Sequence, residues 1–182
     1  MRAAAVDDAE GGRPFVGRER ELGELRAGFA DAAAGNGRLF MIVGEPGIGK
    51  TRLALEVAGH AAARGGRILW GRCWEGGGAP AYWPWVQAIR AYVRNSDAAS
   101  LRAQLHSGAA YLAHLVPELR SRFPEWSGVA GAVALDSEHA RFQLFDAVAG
   151  FLRNARQPLV LILDDIHAAD QPSLLLLHFV AR

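Results

Sequence analysis

Lys50 and Thr51 are the residues whose types and spacing most directly indicate chemistry. They follow a glycine-rich run in which four residues separate the first glycine from the last: Gly44, Glu45, Pro46, Gly47, Ile48 and Gly49. Glycines allow the backbone to turn back on itself, so that its N–H groups approach phosphate oxygens. A lysine ammonium then reaches the terminal phosphates of a nucleotide, and a threonine hydroxyl is a ligand for Mg²⁺. The pattern predicts that Gly44 to Thr51, and Arg52 directly after them, bind a nucleotide, and that Lys50 is also catalytic.

The segments on either side of this loop are those that a phosphate-binding loop requires. The apolar run Leu39-Phe40-Met41-Ile42-Val43 precedes it and predicts a strand, and the residues from Arg52 to about Arg64 predict a helix. The N-terminus of such a helix carries a partial positive charge that favours phosphate. A second strand is predicted at Arg67 to Arg72. The order strand, helix, strand predicts a unit with parallel strands.

Two adjacent carboxylates follow the most aliphatic run of the chain. Leu159 to Leu163 are consecutive aliphatic residues, a pattern typical of a strand buried on both faces of a parallel sheet. Asp164 and Asp165 come at its carboxyl end, where open α/β sheets bind ligands. We assign Asp164, together with Thr51, to Mg²⁺. Asp165 either orients or deprotonates a water molecule that attacks the γ-phosphate of the nucleotide, or it is a cap or a supporting carboxylate. His167 senses phosphate, contacts Asp165, or is a structural hydrogen-bond donor.

Composition and charge narrow the class of protein. The chain has 182 residues, which suits one domain or part of a larger one. Its formal net charge of +1 gives no footprint for nucleic acid. A single cysteine, Cys73, excludes an internal disulfide. We find no signal peptide and no apolar run long enough to span a bilayer, so we expect a cytoplasmic protein without a membrane partner.

The rest of the chain predicts helices around the sheet. Residues 1–13 are small, acidic and glycine-rich, and we expect a disordered tail. Residues 73–85 form a loop with three tryptophans, which either packs onto the domain or acts as a lid or partner surface. A helical pattern with breaks near Asn95 and Gly108 follows. Ser137 and Asp170 are predicted N-caps of two later helices. The order of elements predicts an α/β fold with a parallel sheet flanked by helices.

Three stretches together resemble a known family: Phe15-Val16-Gly17-Arg18-Glu19, the run from Gly44 to Leu53, and Leu163-Asp164-Asp165-Ile166-His167. They are similar to the AAA/STAND ATPase module of LuxR-type transcriptional regulators and of cyclase-linked ATPases. The resemblance covers residues 14–182 and implies a three-layer P-loop NTPase fold. It also implies that Val16, Gly17 and Arg18 lie against the adenine of ATP. The chain departs from the family at Ala168, where a tryptophan is common.

The resemblance also implies a further strand, with a polar sensor residue, between the strand before the glycine-rich loop and the Asp164 strand. The sequence ends at Arg182, before that strand. We therefore expect the N-terminal part of an ATPase domain, from a fragment or a truncated product, with the strands after the Asp164 strand missing. Contact with DNA would occur only through regions beyond this chain.

Several functions are compatible with these residues. The main hypothesis is an ATP–Mg²⁺-binding module of a signalling ATPase, part of a LuxR-family regulator, in which slow ATP hydrolysis is a conformational switch and ATP binding promotes self-association. The alternatives are a small-molecule P-loop kinase and a non-catalytic remnant. A DNA-binding ATPase of the origin-recognition type has the same first motifs, but neither a basic patch nor a winged helix supports it.

Overall fold

A computed structural model of the chain describes residues 16–105, 108–126 and 137–182. The tail predicted at residues 1–13 lies outside the described residues. Short 3-10 turns at Pro124–Trp126 and Ile166–Ala168 accompany the helices and strands. The helices and strands follow in chain order as α1 (Glu19–Ala33), α2 (Lys50–Ala62), β1 (Arg67–Arg72), α3 (Trp83–Arg94), α4 (Ala98–Leu105), α5 (Ala109–Leu115), α6 (Glu118–Arg122), α7 (Glu138–Arg153), β2 (Leu159–Asp164) and α8 (Gln171–Val180).

The two strands form a small parallel sheet. Arg67 lies opposite Leu159, and Arg72 lies opposite Asp164. Because the strands are parallel and in this register, their carboxyl ends meet at one edge of the sheet. Helices α2 and α3 both contact β1 and β2. A mixed α/β fold with a parallel sheet and flanking helices agrees with the sequence prediction, whereas the three-layer arrangement stays a prediction.

The apolar segment before the glycine-rich loop is not a strand, and that prediction was wrong. Residues 36–45 adopt neither helix nor strand. The side chains of Leu39, Met41 and Val43 are exposed, whereas Ile42 packs against a small apolar cluster between α1 and α2. A strand requires a neighbour for its N–H and C=O groups, and the sheet of the described residues contains β1 and β2 alone. The segment therefore stays unpaired.

The burial predicted for β2 also differs from the structure. All six residues of β2 are partly exposed, although the aliphatic run predicted burial on both faces. Within the described residues β2 has a strand partner along one edge, β1, and α3 packs mainly against β1 rather than against β2. In β1 the corresponding central residue, Leu69, is fully buried.

The main core lies between the sheet and helices α3 to α8. Trp85 of α3 is fully buried, and its indole Nε1 donates a 3.2 Å hydrogen bond to the carbonyl of Ser173 in α8. At Gly71 the backbones of β1 and α3 approach so closely that a Cβ would lie 1.9 Å from the carbonyl oxygen of Pro84. The stretch predicted as a loop at residues 73–85 packs onto the domain at Trp83 and Trp85, and the prediction was wrong for its end, because both tryptophans belong to α3. Trp74 is exposed.

The predicted helix boundaries are confirmed where caps specify them. The hydroxyl of Ser137 accepts a hydrogen bond of 3.1 Å from the N–H of Ala140, at the start of α7. The carboxylate of Asp170 accepts from the N–H of Ser173 at 2.9 Å, at the start of α8. The break predicted near Asn95 separates α3 from α4. No helix in the described parts of the chain has both the length and the apolar character that crossing a membrane requires.

Candidate functional site

The glycine-rich loop has the backbone shape that its glycines allow. Gly47 and Gly49 have φ values of 76° and 95°, in the left-handed region that other residues rarely adopt. Gly49 directly precedes α2, and no side chain of the described residues caps this helix N-terminus. The first N–H groups of α2 have no partner within the helix. The loop and the helix N-terminus are therefore suited to bind an anionic group.

Lys50 lies folded over this loop. Its ammonium Nζ donates hydrogen bonds of 2.9 Å to the carbonyl of Gly44 and of 3.0 Å to that of Glu45. The lysine thus spans the loop from its first residue to the first turn of α2. A phosphate group can replace these two carbonyls as the partner of its positive charge.

Thr51 and Asp164 lie together, although they are 113 positions apart in the chain. The hydroxyl oxygen of Thr51 is 3.3 Å from each carboxylate oxygen of Asp164, in a partly buried position. The N–H of Asp165 donates a 3.1 Å hydrogen bond to Asp164 Oδ1 and orients that carboxylate. A hydroxyl and a carboxylate are oxygen ligands of the kind that Mg²⁺ prefers. The two residues that the sequence assigns to Mg²⁺ therefore fit a shared ion.

Asp165 has a strained backbone and an ion-pair partner. Its φ of 54° is in the left-handed region, which costs free energy for a residue other than glycine. Such strained residues recur at functional sites. One carboxylate oxygen, Oδ2, accepts a 2.8 Å hydrogen bond from Nε of Arg72. Arg72 was not predicted from the sequence as a site residue. The parallel pairing explains its position, since Arg72 ends β1 beside the end of β2. The pairing of the two predicted strands was the signal that would have found this arginine.

The segment before α1 reaches the glycine-rich loop through one arginine. Nη2 of Arg18 donates a 3.1 Å hydrogen bond to the carbonyl of Ile48. The N–H of Gly17 donates to the carboxylate of Glu19, and Val16 is exposed. Of the three residues that the resemblance assigns to adenine, Arg18 is thus the one whose side chain contacts the loop.

The remaining predicted site residues are distributed around the loop. Arg52 forms a 2.9 Å ion pair with Glu56, one turn further along α2. Glu45, Pro46 and Ile48 lie on the exposed turn itself.

His167 contacts a residue that the sequence analysis did not single out. Its Nε2 lies 3.0 Å from Oε1 of Glu75, in the loop after β1. Cys73, two residues earlier, is a buried free thiol. Burial and the nearby carboxylates of Asp170 and Asp165 raise the pKa of Cys73 to about 11, so the thiol is neutral at physiological pH.

The comparison with known proteins agrees with this geometry. A family model described as an AAA ATPase domain matches residues 14–182. The chain belongs to the AAA ATPase domain family. This AAA ATPase domain is 27% identical over 183 residues to an uncharacterized protein of Rhizobium meliloti (strain 1021). The similarity covers 94% of the chain but 17% of that protein, so the chain spans less than a fifth of its relative's length. No solved structure matches the chain.

Membership supports the nucleotide-binding character of the site. An AAA ATPase domain implies ATP binding, usually with Mg²⁺. The glycine-rich loop, Lys50, Thr51 and Asp164 of this AAA ATPase domain are the groups that match such a ligand. The individual residue roles stay predictions.

Proposed function

We propose that this chain is the ATP–Mg²⁺-binding module of a regulatory ATPase in which slow ATP hydrolysis is a conformational switch. The observation that carries the proposal is the meeting of Thr51 and Asp164 at 3.3 Å, next to the glycine-rich loop. A phosphate-binding loop without a nearby carboxylate would explain the binding of an anion but not of a cation. The adjoining hydroxyl and carboxylate supply oxygen ligands for the divalent cation that accompanies a nucleoside triphosphate.

Each residue then has a defined task. The N–H groups of the turn at Gly47 and Gly49 and of the first turn of α2 bind phosphate oxygens. Lys50 exchanges the carbonyls of Gly44 and Glu45 for the terminal phosphates. Bound Mg²⁺ supplies positive charge that offsets the charge developing on the transferred phosphoryl group.

Asp165 is the residue we assign to the attacking water. It follows Asp164 directly, and its carboxylate is held by Arg72 at 2.8 Å. A carboxylate in this position accepts a proton from the water or orients it toward the phosphorus. The left-handed backbone at Asp165 ends the extended conformation of β2, and we assign different tasks to the two adjacent carboxylates.

Slow turnover follows from the partners of the nearby arginines. The guanidinium of Arg18 is bonded to the carbonyl of Ile48, and that of Arg72 to Asp165. An arginine that stabilises the transferred phosphoryl group raises turnover by about 10³- to 10⁵-fold in related chemistry. We propose that such a group comes from a second copy of the chain, through self-association on ATP binding.

The wider role is that of a regulator. The motifs that resemble LuxR-type regulators support placing this AAA ATPase domain in one of them. Its net charge of +1 gives no footprint for nucleic acid, so we propose that DNA is bound elsewhere in such a regulator.

Titration calorimetry with ATP and Mg²⁺ tests the proposal. Lys50→Ala is expected to weaken binding roughly tenfold or more, because a charged hydrogen-bond donor contributes about 1.5–3 kcal/mol. Arg153→Ala is the matched control, since it removes an exposed cation at the end of α7. Equal affinities for Lys50→Ala and the wild type would rule out the assignment.

The same preparation separates an ATPase from a P-loop kinase. Inorganic phosphate released without any acceptor identifies hydrolysis, whereas ADP formation that depends on an added acceptor, with the γ-phosphoryl group recovered on that acceptor, identifies a kinase. Lys50 is the only lysine of the chain. Amine labelling of this side chain, and its protection by ATP, therefore reports occupancy of the site directly.

A further inference from the structure

Three metal-ligating side chains from two loops meet beside the candidate nucleotide site. Glu75 lies in the loop after β1, and Asp165 and His167 follow β2. One ligand atom from each residue lies within 4.8 Å of the ligand atoms of the other two. The closest pair is His167 Nε2 and Glu75 Oε1, which are 3.0 Å apart. Ligand atoms bound about 2.1 Å from one metal ion are at most about 4.2 Å apart. Small rotations of exposed side chains supply the remaining shift.

The ligand types distinguish this cluster from the pair assigned to Mg²⁺. Thr51 and Asp164 offer oxygen atoms alone, the set that suits Mg²⁺. The cluster adds an imidazole nitrogen to two carboxylates, a set that suits borderline ions such as Zn²⁺. The side chains of Glu75 and His167 are 67% and 69% exposed. Water can therefore complete the coordination, and binding requires little desolvation of the ligands.

The local charge favours a divalent cation, and one group opposes it. Glu75 and Asp165 contribute two negative charges, and the guanidinium of Arg72 contributes a positive one through its 2.8 Å hydrogen bond to Asp165. With neutral imidazole at His167, the three ligands and Arg72 together have a net charge of about −1 before any ion binds. Arg72 is 68% exposed, so its side chain can move aside at small cost.

We propose that Glu75, Asp165 and His167 form a binding site for a borderline divalent transition-metal ion such as Zn²⁺, separate from the Mg²⁺ position at Thr51 and Asp164. The bound ion connects the loop after β1 with the turn after β2. It holds the carboxylate of Asp165, which is the residue assigned to the attacking water. A metal at this site therefore opposes hydrolysis without occupying the phosphate-binding loop.

The direct test is titration of Zn²⁺ into the nucleotide-free chain by calorimetry, in a buffer without phosphate or chelator. His167→Gln and Glu75→Gln are each expected to weaken Zn²⁺ binding about tenfold or more, because each removes one of three ligands. His139→Gln is the matched control, since it removes an exposed histidine from the first turn of α7. It is expected to bind Zn²⁺ as the wild type does.

A variant that is expected to strengthen Zn²⁺ binding distinguishes loss of a ligand from loss of the fold. Arg72→Gln removes the cation that competes for Asp165 and is expected to strengthen Zn²⁺ binding about threefold or more. Visible absorption of bound Co²⁺ gives a second readout, which is expected in the wild type and lost in His167→Gln. Wild-type Zn²⁺ affinity in both His167→Gln and Glu75→Gln would overturn the proposal, as would an equal loss in His139→Gln.

The metal site and the nucleotide site are separable in the same experiment. Lys50→Ala leaves all three metal ligands in place and is expected to bind Zn²⁺ normally while losing affinity for ATP. Loss of ATP binding alone therefore tests the proposed function, and loss of Zn²⁺ binding alone tests the metal site.

Discussion

The guanidinium of Arg18 donates a 3.1 Å hydrogen bond to the carbonyl of Ile48, which lies 30 residues later in the glycine-rich loop. Arg18 itself has a φ of 67° and directly precedes α1. The segment before α1 is thus joined to the phosphate-binding loop by a side chain on a strained backbone. This contact gives the residues before α1 a physical route to influence nucleotide binding.

Removing the Arg18 side chain is expected to weaken ATP binding. Arg18→Ala should lower the affinity by up to about tenfold, because the lost hydrogen bond stabilises the conformation of the loop by about 0.5–1.5 kcal/mol. Arg18→Gly loses the same contact but accommodates the positive φ without strain. An equal fall in calorimetric affinity in both variants identifies the lost side chain as the cause. Arg20→Ala, which removes an 89% exposed arginine from α1, serves as the control.

The hydroxyl of Thr51 is expected to matter for the Mg²⁺-dependent part of ATP binding. Thr51→Val has nearly the same shape but no oxygen, and should weaken ATP–Mg²⁺ binding about tenfold, or about 1.4 kcal/mol. Thr51→Ser retains the oxygen that lies 3.3 Å from Asp164 and should bind nearly as the wild type does. Calorimetry with Mg²⁺ and with a chelator makes the comparison. A valine variant that keeps the full Mg²⁺ dependence would contradict the assignment.

Asp165 is expected to affect turnover rather than binding. Asp165→Asn keeps the size of the side chain and tolerates the left-handed backbone, but it cannot accept a proton from water. Phosphate release in a single turnover should fall about 10²- to 10⁴-fold with unchanged ATP affinity. A variant that hydrolyses ATP at the wild-type rate would show that Asp165 has a supporting role.

The close approach of β1 and α3 predicts a large effect on stability at Gly71. Gly71→Ala places a Cβ 1.9 Å from the carbonyl of Pro84, and should reduce the free energy of unfolding by about 3 kcal/mol. Gly59→Ala is the control, because nothing lies within 4 Å of a Cβ there. In an exposed helix the change from glycine to alanine should stabilise by about 0.5–1 kcal/mol. Urea unfolding followed by circular dichroism measures both, and equal midpoints would refute the packing argument.

Local signals in the sequence were sufficient for the starts of α7 and α8. Ser137 and Asp170 cap α7 and α8 as predicted, because a side-chain oxygen at the N-cap satisfies an N–H three residues away. Hydrophobicity was insufficient for Leu39 to Val43 and for the burial of β2. An apolar run reports a tendency to be buried, whereas a strand also requires a partner for its backbone. The described residues provide that partner for one edge of β2 and for neither edge of the earlier segment.

The sequence by itself determined which functional groups are present in the two motifs. One is the glycine-rich loop with Lys50 and Thr51, and the other is the Asp164–Asp165 pair. Each motif is read from neighbouring residues. Only the tertiary structure decided which distant groups meet. The parallel register of β1 and β2 brings Arg72 to Asp165, and the loops that follow these strands bring Glu75 to His167. Such contacts depend on how strands align and loops fold back in space. No periodicity along the chain records that alignment.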